Sequence, residues 1–200
     1  MPTTKEKILT TALQLFSKDG YEAVSVSMIA SILGMTKGAL YKHYANKRDI
    51  FDSIIARMEK RDTQRAAEFE LPMGTLAEWT EKYCNTSVNQ LIEYSKAQFV
   101  YWTQDEFPSA FRKMLTLEQY RSEEMNRLYQ QYLASGPLGY VTDLFGSLGI
   151  ENPQREAVNF YAPMFLLYSV YDGSADKAAA MAQLEEHFNA ARQHLIGENK

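Results

Sequence analysis

The sequence predicts an all-α protein, with an N-terminal three-helix bundle followed by a larger helical body. Three observations carry this. Apolar residues recur at helical spacing along nearly the whole chain. The breaks between them are glycine and proline signals, at Gly20, Gly34, 71–74, Phe107-Pro108, Gly136-Pro137, Gly149 and Gly173. Residues 25–48 read as two short helices joined by a three-residue turn, with a third helix starting at once.

In chain order, residues 4–18 form the first helix, with Ile8, Leu9, Ala12, Leu13 and Phe16 on one face. Asp19-Gly20 ends it. Ser25 caps the second helix, whose apolar face is Ile29, Ile32 and Leu33. Gly34 suits the left-handed backbone of a helix C-terminus. Thr36 caps the third helix, 37–44, and Met35 with Leu40 forms a hydrophobic staple that sets its entry angle. Asn46 and Asp49 make a capping-box-like pair for a helix from about 47 that carries Ile50, Phe51, Ile54, Ile55 and Met58. Its later part, 59–70, is strongly charged, and the helix is the natural mechanical link between head and body.

The body is expected to run helically from Thr75 to about Ser95, then as a short aromatic helix over 96–106. Further helices follow over 109–134, with a possible break near Thr116, and over 138–148. Asn152 caps another that opens on Pro153 and runs to Asp172, kinked by Pro163. The last covers 175–196.

Two helices held at a fixed angle by so short a turn make a helix-turn-helix, whose second helix can enter the DNA major groove. Leu40 and Tyr44 take its inward face, leaving Lys37, Gly38, Tyr41 and Lys42 outside. Lysines neutralise phosphates. Tyr41 offers a hydroxyl to phosphate and a ring to a sugar or a thymine methyl. Gly38 costs a helix roughly 1 kcal/mol against alanine, a concession that close approach to DNA explains. Ser25, Ser27 and Thr36 at the helix starts, with His43 and Lys47, complete the candidate contacts. Capping alone is the simpler role for Ser25, and His43 is either a groove contact or a helix-end residue.

Overall charge is −4, but its distribution is polar. Residues 1–48 hold seven basic residues (5, 7, 18, 37, 42, 47, 48) against three acids (6, 19, 22), a balance of +4. The remainder carries −8. A basic head on an acidic body is the footprint of a module that docks on phosphate by one end. Hydrophobic content of 46% and charged content of 23% are ordinary for a globular chain. No apolar run reaches membrane-span length, the N-terminus lacks a signal-peptide core, and one cysteine, Cys84, fits a reducing cytoplasm.

Residues 5–58 resemble the DNA-binding domain of the TetR (tetracycline-repressor) family of bacterial transcription regulators. The matching stretches are 7–16 (KILTTALQLF), Gly20-Tyr21, Ile29-Ala30 and, most specifically, 34–44 (GMTKGALYKHY). Tyr44 stands where the family usually has phenylalanine. Met28 occupies a first-turn site that is often acidic. The resemblance implies a phosphate contact for His43 and a homodimer. It also implies a mechanism in which a small molecule in the body shifts the helix starting near Asn46 and the operator is released.

On this reading the chain divides into a DNA-binding domain, 1–48, and a ligand-binding and dimerisation domain, 49–200. The last two long helices carry apolar residues on more than one face and suit a four-helix dimer interface, with Tyr161, Phe165, Tyr168, Leu184, Phe188, Ala191 and Leu195 as candidates. An ordinary core helix pair is the alternative. Phe99, Trp102, Phe111, Met114, Tyr120, Met125, Tyr161 and Met164 are candidates to line a cavity for an apolar or aromatic effector, or are simply core.

Nothing points to an enzyme, a cofactor or a metal. No nucleophile elbow or phosphate-binding glycine loop occurs. His187 and His194 lie seven apart without a metal-ligand spacing. Cys84 reads as a small buried apolar residue. The expected protein is a cytoplasmic, dimeric, ligand-responsive regulator, most naturally a repressor on a palindromic operator. The rivals are a helical enzyme with an added helix-turn-helix and a constitutive DNA binder.

Overall fold

The computed structural model describes residues 2–68 and 87–197, apart from the side chains of residues 66 and 67. Every regular element among them is a helix: α1 (Thr4–Asp19), α2 (Val26–Ile32), α3 (Lys37–Leu40), α4 (Lys47–Glu68), α5 (Val88–Gln104), α6 (Glu106–Glu118), α7 (Glu123–Leu133), α8 (Ser135–Ser147), α9 (Pro153–Gly173) and α10 (Lys177–Gly197). The expectations for Thr75 and Cys84 lie outside the described residues.

The chain divides into two compact units. The first holds the chain through Gln64 together with Glu106–Tyr129, and the second holds Arg65–Asp105 and everything from Gln130. α4 and α7 each begin in the first unit and end in the second.

In the first unit, α1 buries the five residues its spacing predicts, and it packs on α6 and α2. Ile29, Leu40, Ile50, Phe51, Ile54 and Met58 close the core from α2, α3 and α4. The second unit packs α9 on α8 and α10, and α5 on both α9 and α10. Phe99 stacks on Tyr168 at 5.2 Å, and Phe160 meets Phe145 and Phe188 at 5.6 and 5.3 Å.

Several boundaries differ from the sequence reading. The aromatic helix starts at Val88, where Ser87 and Gln90 form a reciprocal capping box. The break expected near Thr116 within 109–134 falls at residues 119–122, and Ser122 caps α7 by accepting from Met125 N at 3.2 Å. Pro108 does not end a helix but lies in the first turn of α6, where no intrahelical N–H is required. Asn152 takes a left-handed φ of 51° and makes no side-chain cap; its carbonyl accepts from Arg155 N and Glu156 N instead.

Ile32 is 61% exposed rather than core. In a helix of two turns, Val26, Ile29 and Ala30 take the inner side and Ile32 is carried past it. On α9, Phe160, Tyr161, Met164, Leu167 and Tyr168 form one broad buried face, while Val158 and Phe165 lie on the open side. Pro163 sits inside α9, and His187 of α10 reaches back to Phe160 O at 2.8 Å. A carbonyl only accepts, so Nε2 of His187 carries the proton.

Candidate nucleic-acid interface

The helix-turn-helix is assembled by local chemistry. Ser25 Oγ accepts from Met28 N at 3.2 Å and starts α2. Gly34, at φ 63°, ends it; Met35 N reaches back to Ala30 O at 3.0 Å, the long-range bond of a Schellman cap. Thr36 Oγ1 then accepts from Ala39 N at 3.1 Å and starts α3. α3 is α-helical for only four residues. Beyond Leu40 it tightens, with His43 N bonded to Leu40 O at 2.9 Å, so the segment expected as one helix over 37–44 ends in turns.

Those turns are anchored from inside. Tyr44 is buried, and its hydroxyl donates to Lys5 O at 3.2 Å. The Tyr44 hydroxyl thus ties the end of this segment to α1. Burial pushes the Tyr44 phenol above its ordinary pKa, so it stays a protonated donor. Lys5 Nζ lies 5.1 Å from the same ring.

Outside, Ser25, Ser27, Thr36, Lys37, Gly38, Tyr41 and Lys42 are all exposed, and His43 is half-buried. Tyr41 keeps 43% of its surface open, with Lys37 Nζ 5.7 Å from its ring. A Cβ placed on Gly38 would meet nothing within 4 Å. The free protein therefore gives no steric reason for glycine there.

Lys47 differs from the others. Its ammonium donates to Tyr21 O at 2.8 Å, lies 4.1 Å from the Tyr21 ring and stands 3.8 Å from Glu22. Asn46 Oδ1 accepts from Asp49 N at 2.9 Å, and Asp49 answers by accepting from Ala45 N at 2.8 Å, one residue earlier than a standard capping box. Arg48 forks onto Glu124 at 2.6 and 2.8 Å and reaches Asp52 at 2.6 Å. Sequence reasoning missed Tyr21 and Glu124 as supports, since nothing local signals a partner so far along the chain.

Of the cavity candidates, Phe99, Trp102, Tyr161 and Met164 are buried in the second unit. Phe111, Met114 and Met125 are buried in the first, and Tyr120 is 88% exposed. The Tyr161 hydroxyl donates to Leu133 O at 2.8 Å. Of the dimer candidates, Phe165 is exposed and Ala191 half-buried, whereas Tyr161, Tyr168, Leu184, Phe188 and Leu195 are buried within the chain. Among the described residues there is no cluster of three metal-ligating side chains, and no helix is long and apolar enough to cross a membrane.

Comparison with known proteins agrees with this geometry. Residues 8–54 match the family model of the bacterial regulatory proteins of the tetR family. The HTH-type transcriptional regulator AcrR of Shigella flexneri is 36% identical over 67 residues, 34% of this chain and 31% of that protein. The HTH-type transcriptional repressor BepR of Brucella suis is 39% identical over 72 residues, 34% of each chain. The chain thus spans about a third of the length of these curated relatives. The solved structure of the fatty acid degradation regulator FadR from Bacillus halodurans superposes with a TM-score of 0.61 over 96% of both chains at 17% identity, which shows the shared fold. Residues 8–54 thus carry a helix-turn-helix that matches the tetR family of bacterial regulatory proteins, and the described helices behind it share the all-helical fold of the solved regulator structure.

Proposed function

We infer that the protein is a transcriptional regulator, acting as a repressor that binds a palindromic operator as a homodimer and releases it when a small apolar or aromatic effector binds the body. The observation that carries this reading is the open face Lys37, Gly38, Tyr41 and Lys42, with empty space above Gly38. Two cations and an aromatic donor surround a position where only a glycine lets a phosphate or base edge approach the backbone. The repressor named among the relatives, BepR, supports the sign. Residues 1–48 supply the DNA contacts, and 49–200 the effector site and the dimer interface.

The dimer face is α9 with α10. Val158, Ala162, Phe165, Leu166 and Val170 recur at three- and four-residue spacing on the open side of α9, an apolar stripe that a second copy would cover. Buried Leu184 and Phe188 hold α10 in place beneath it. The aromatic residues around Phe99 and Trp102, with Tyr161 and Met164, suit an apolar effector. Such a ligand needs to prefer the non-binding state by only about 1–3 kcal/mol. The protein works in the cytoplasm, where operator and effector meet.

The test is to incubate the purified protein with fragmented genomic DNA and sequence what it retains. Recovery of a shared inverted repeat, bound with affinity that falls steeply with salt, is the expected result. Retention of no fragment above background at low salt sinks the reading. The genes beside a recovered site then nominate effectors for titration with and without operator.

A further inference from the structure

The turn between α1 and α2 is held from outside the helix-turn-helix. Glu118, the last residue of α6, is buried, and its Oε1 accepts from Tyr21 N at 3.0 Å. The same oxygen lies 2.7 Å from where a Cβ on residue 20 would stand. Gly20 also has φ 82°. A glycine is needed there both for the backbone and to let the carboxylate in. Tyr21 is engaged on its other side as well. Its carbonyl accepts from Lys47, the first residue of α4, and its ring meets the edges of Phe16 and Phe51 at 5.1 and 5.2 Å. One residue therefore connects the end of α6 to the start of α4. Glu118 lies beyond the 8–54 stretch that defines the family's domain, and α6 joins α5 through the single residue Asp105.

We propose that Glu118 is a positioning residue for operator binding: it holds Tyr21, and through Tyr21 the first turn of α4, in the arrangement that meets DNA. This rests on the DNA-binding reading above. It gives the head a second attachment besides the length of α4, and a shift of α6 along its axis withdraws the acceptor from Tyr21 N. The neighbouring Arg48–Glu124 pair is largely exposed and contributes little to the hold. The buried acceptor contributes more, because its loss leaves a part-buried N–H without its partner.

The experiment uses the full-length protein, a duplex recovered in the genomic selection, and amide exchange at Tyr21. Glu118→Ala is expected to weaken operator binding about ten-fold and to speed Tyr21 exchange by at least as much. Glu118→Gln keeps an oxygen at the same reach and is expected to stay within about two-fold of the parent on both readouts. Glu118→Asp, shorter by one methylene, serves if the alanine variant does not fold, and is expected to follow it. Wild-type affinity in the alanine or aspartate variant overturns the proposal. So does a glutamine variant as weak as alanine, since that assigns the effect to charge rather than to the bond. A parent protein that retains no duplex overturns the DNA-binding reading and this one with it, and that outcome is read before any variant is made.

Discussion

The ammonium of Lys47 donates to the carbonyl oxygen of Tyr21 at 2.8 Å and lies 4.1 Å from the centroid of the same residue's ring. A lysine at the first position of α4 is thus part of the head's own framework as well as a candidate phosphate contact. Its charge is presented from a fixed place, with donors to spare for a partner.

The two lysines at the edge of the head should therefore separate in experiment. Lys42→Ala is expected to lower the slope of log affinity against log salt by about 0.9, the value for one phosphate, with stability unchanged. Lys47→Ala is expected to lower the slope likewise and also to cost roughly 1–2 kcal/mol in urea unfolding, from a charged hydrogen bond and a cation–π contact at a site 22% exposed. Equal stability of the two variants would show that the Tyr21 clasp contributes nothing.

Gly38 should show a trade of stability against binding. No atom stands in the way of a Cβ, so Gly38→Ala is expected to stabilise the free protein by up to about 1 kcal/mol. Gly38→Leu, reaching further from the surface, is expected to abolish operator binding while the melting temperature holds. A leucine variant that binds normally removes the close-approach argument for this position.

Charge on the two sides of the body should act differently. Leu166 is 63% exposed on the open stripe of α9, so Leu166→Glu is expected to give a folded monomer that binds DNA far more weakly. Phe188 is fully buried against Phe160, so Phe188→Glu is expected to unfold the second unit. Sedimentation and circular dichroism read the two outcomes. A folded dimer formed by the Leu166→Glu variant would move the interface elsewhere.

A buried carboxylate should set part of the acid response. Glu156 of α9 accepts from Arg155 at 2.8 and 3.0 Å, from Asn159 at 3.3 Å and from His194 of α10 at 3.0 Å. The Arg155 guanidinium, helped by Asn159 and His194 against the opposing effect of burial, holds its pKa below the ordinary 4.5. A depressed pKa in the folded state means stability that is present above 4.5 and is lost as pH falls through the folded value. The stability gap between the parent and Glu156→Gln is therefore expected to narrow as pH falls from about 5 to about 3. A gap that stays constant across that range would show that the carboxylate's charge is not what joins the two helices.

The head was legible because its signals are short-range. Ser25, Gly34, Thr36 and Leu40 each act within five residues, and the caps form between the atoms that spacing suggests. The errors came where locality fails. Ile32 has the right residue type and follows Ile29 by three, but the inner side of α2 is centred on Val26, Ile29 and Ala30 and leaves it outside. Tyr44 is placed on the inward face by spacing, but its hydroxyl's partner, Lys5 O, is thirty-nine residues away and carries no local signal. In the body, Val158 and Tyr161 are both apolar and three apart, and the spacing alone does not say which of them the chain's own core takes.

By itself the sequence determined the helical class, the helix-turn-helix and the face that α3 turns outward. Periodicity, capping and turn chemistry are set by neighbours along the chain, and neighbours are what a sequence records. Only the tertiary structure decided which apolar stripe of α9 is core, that Lys47 is clasped by Tyr21, and that Glu118 of α6 holds the turn beside it. Those depend on contacts between residues up to ninety-seven positions apart, made when whole helices pack, and no local rule selects one partner among the many acids and aromatics available.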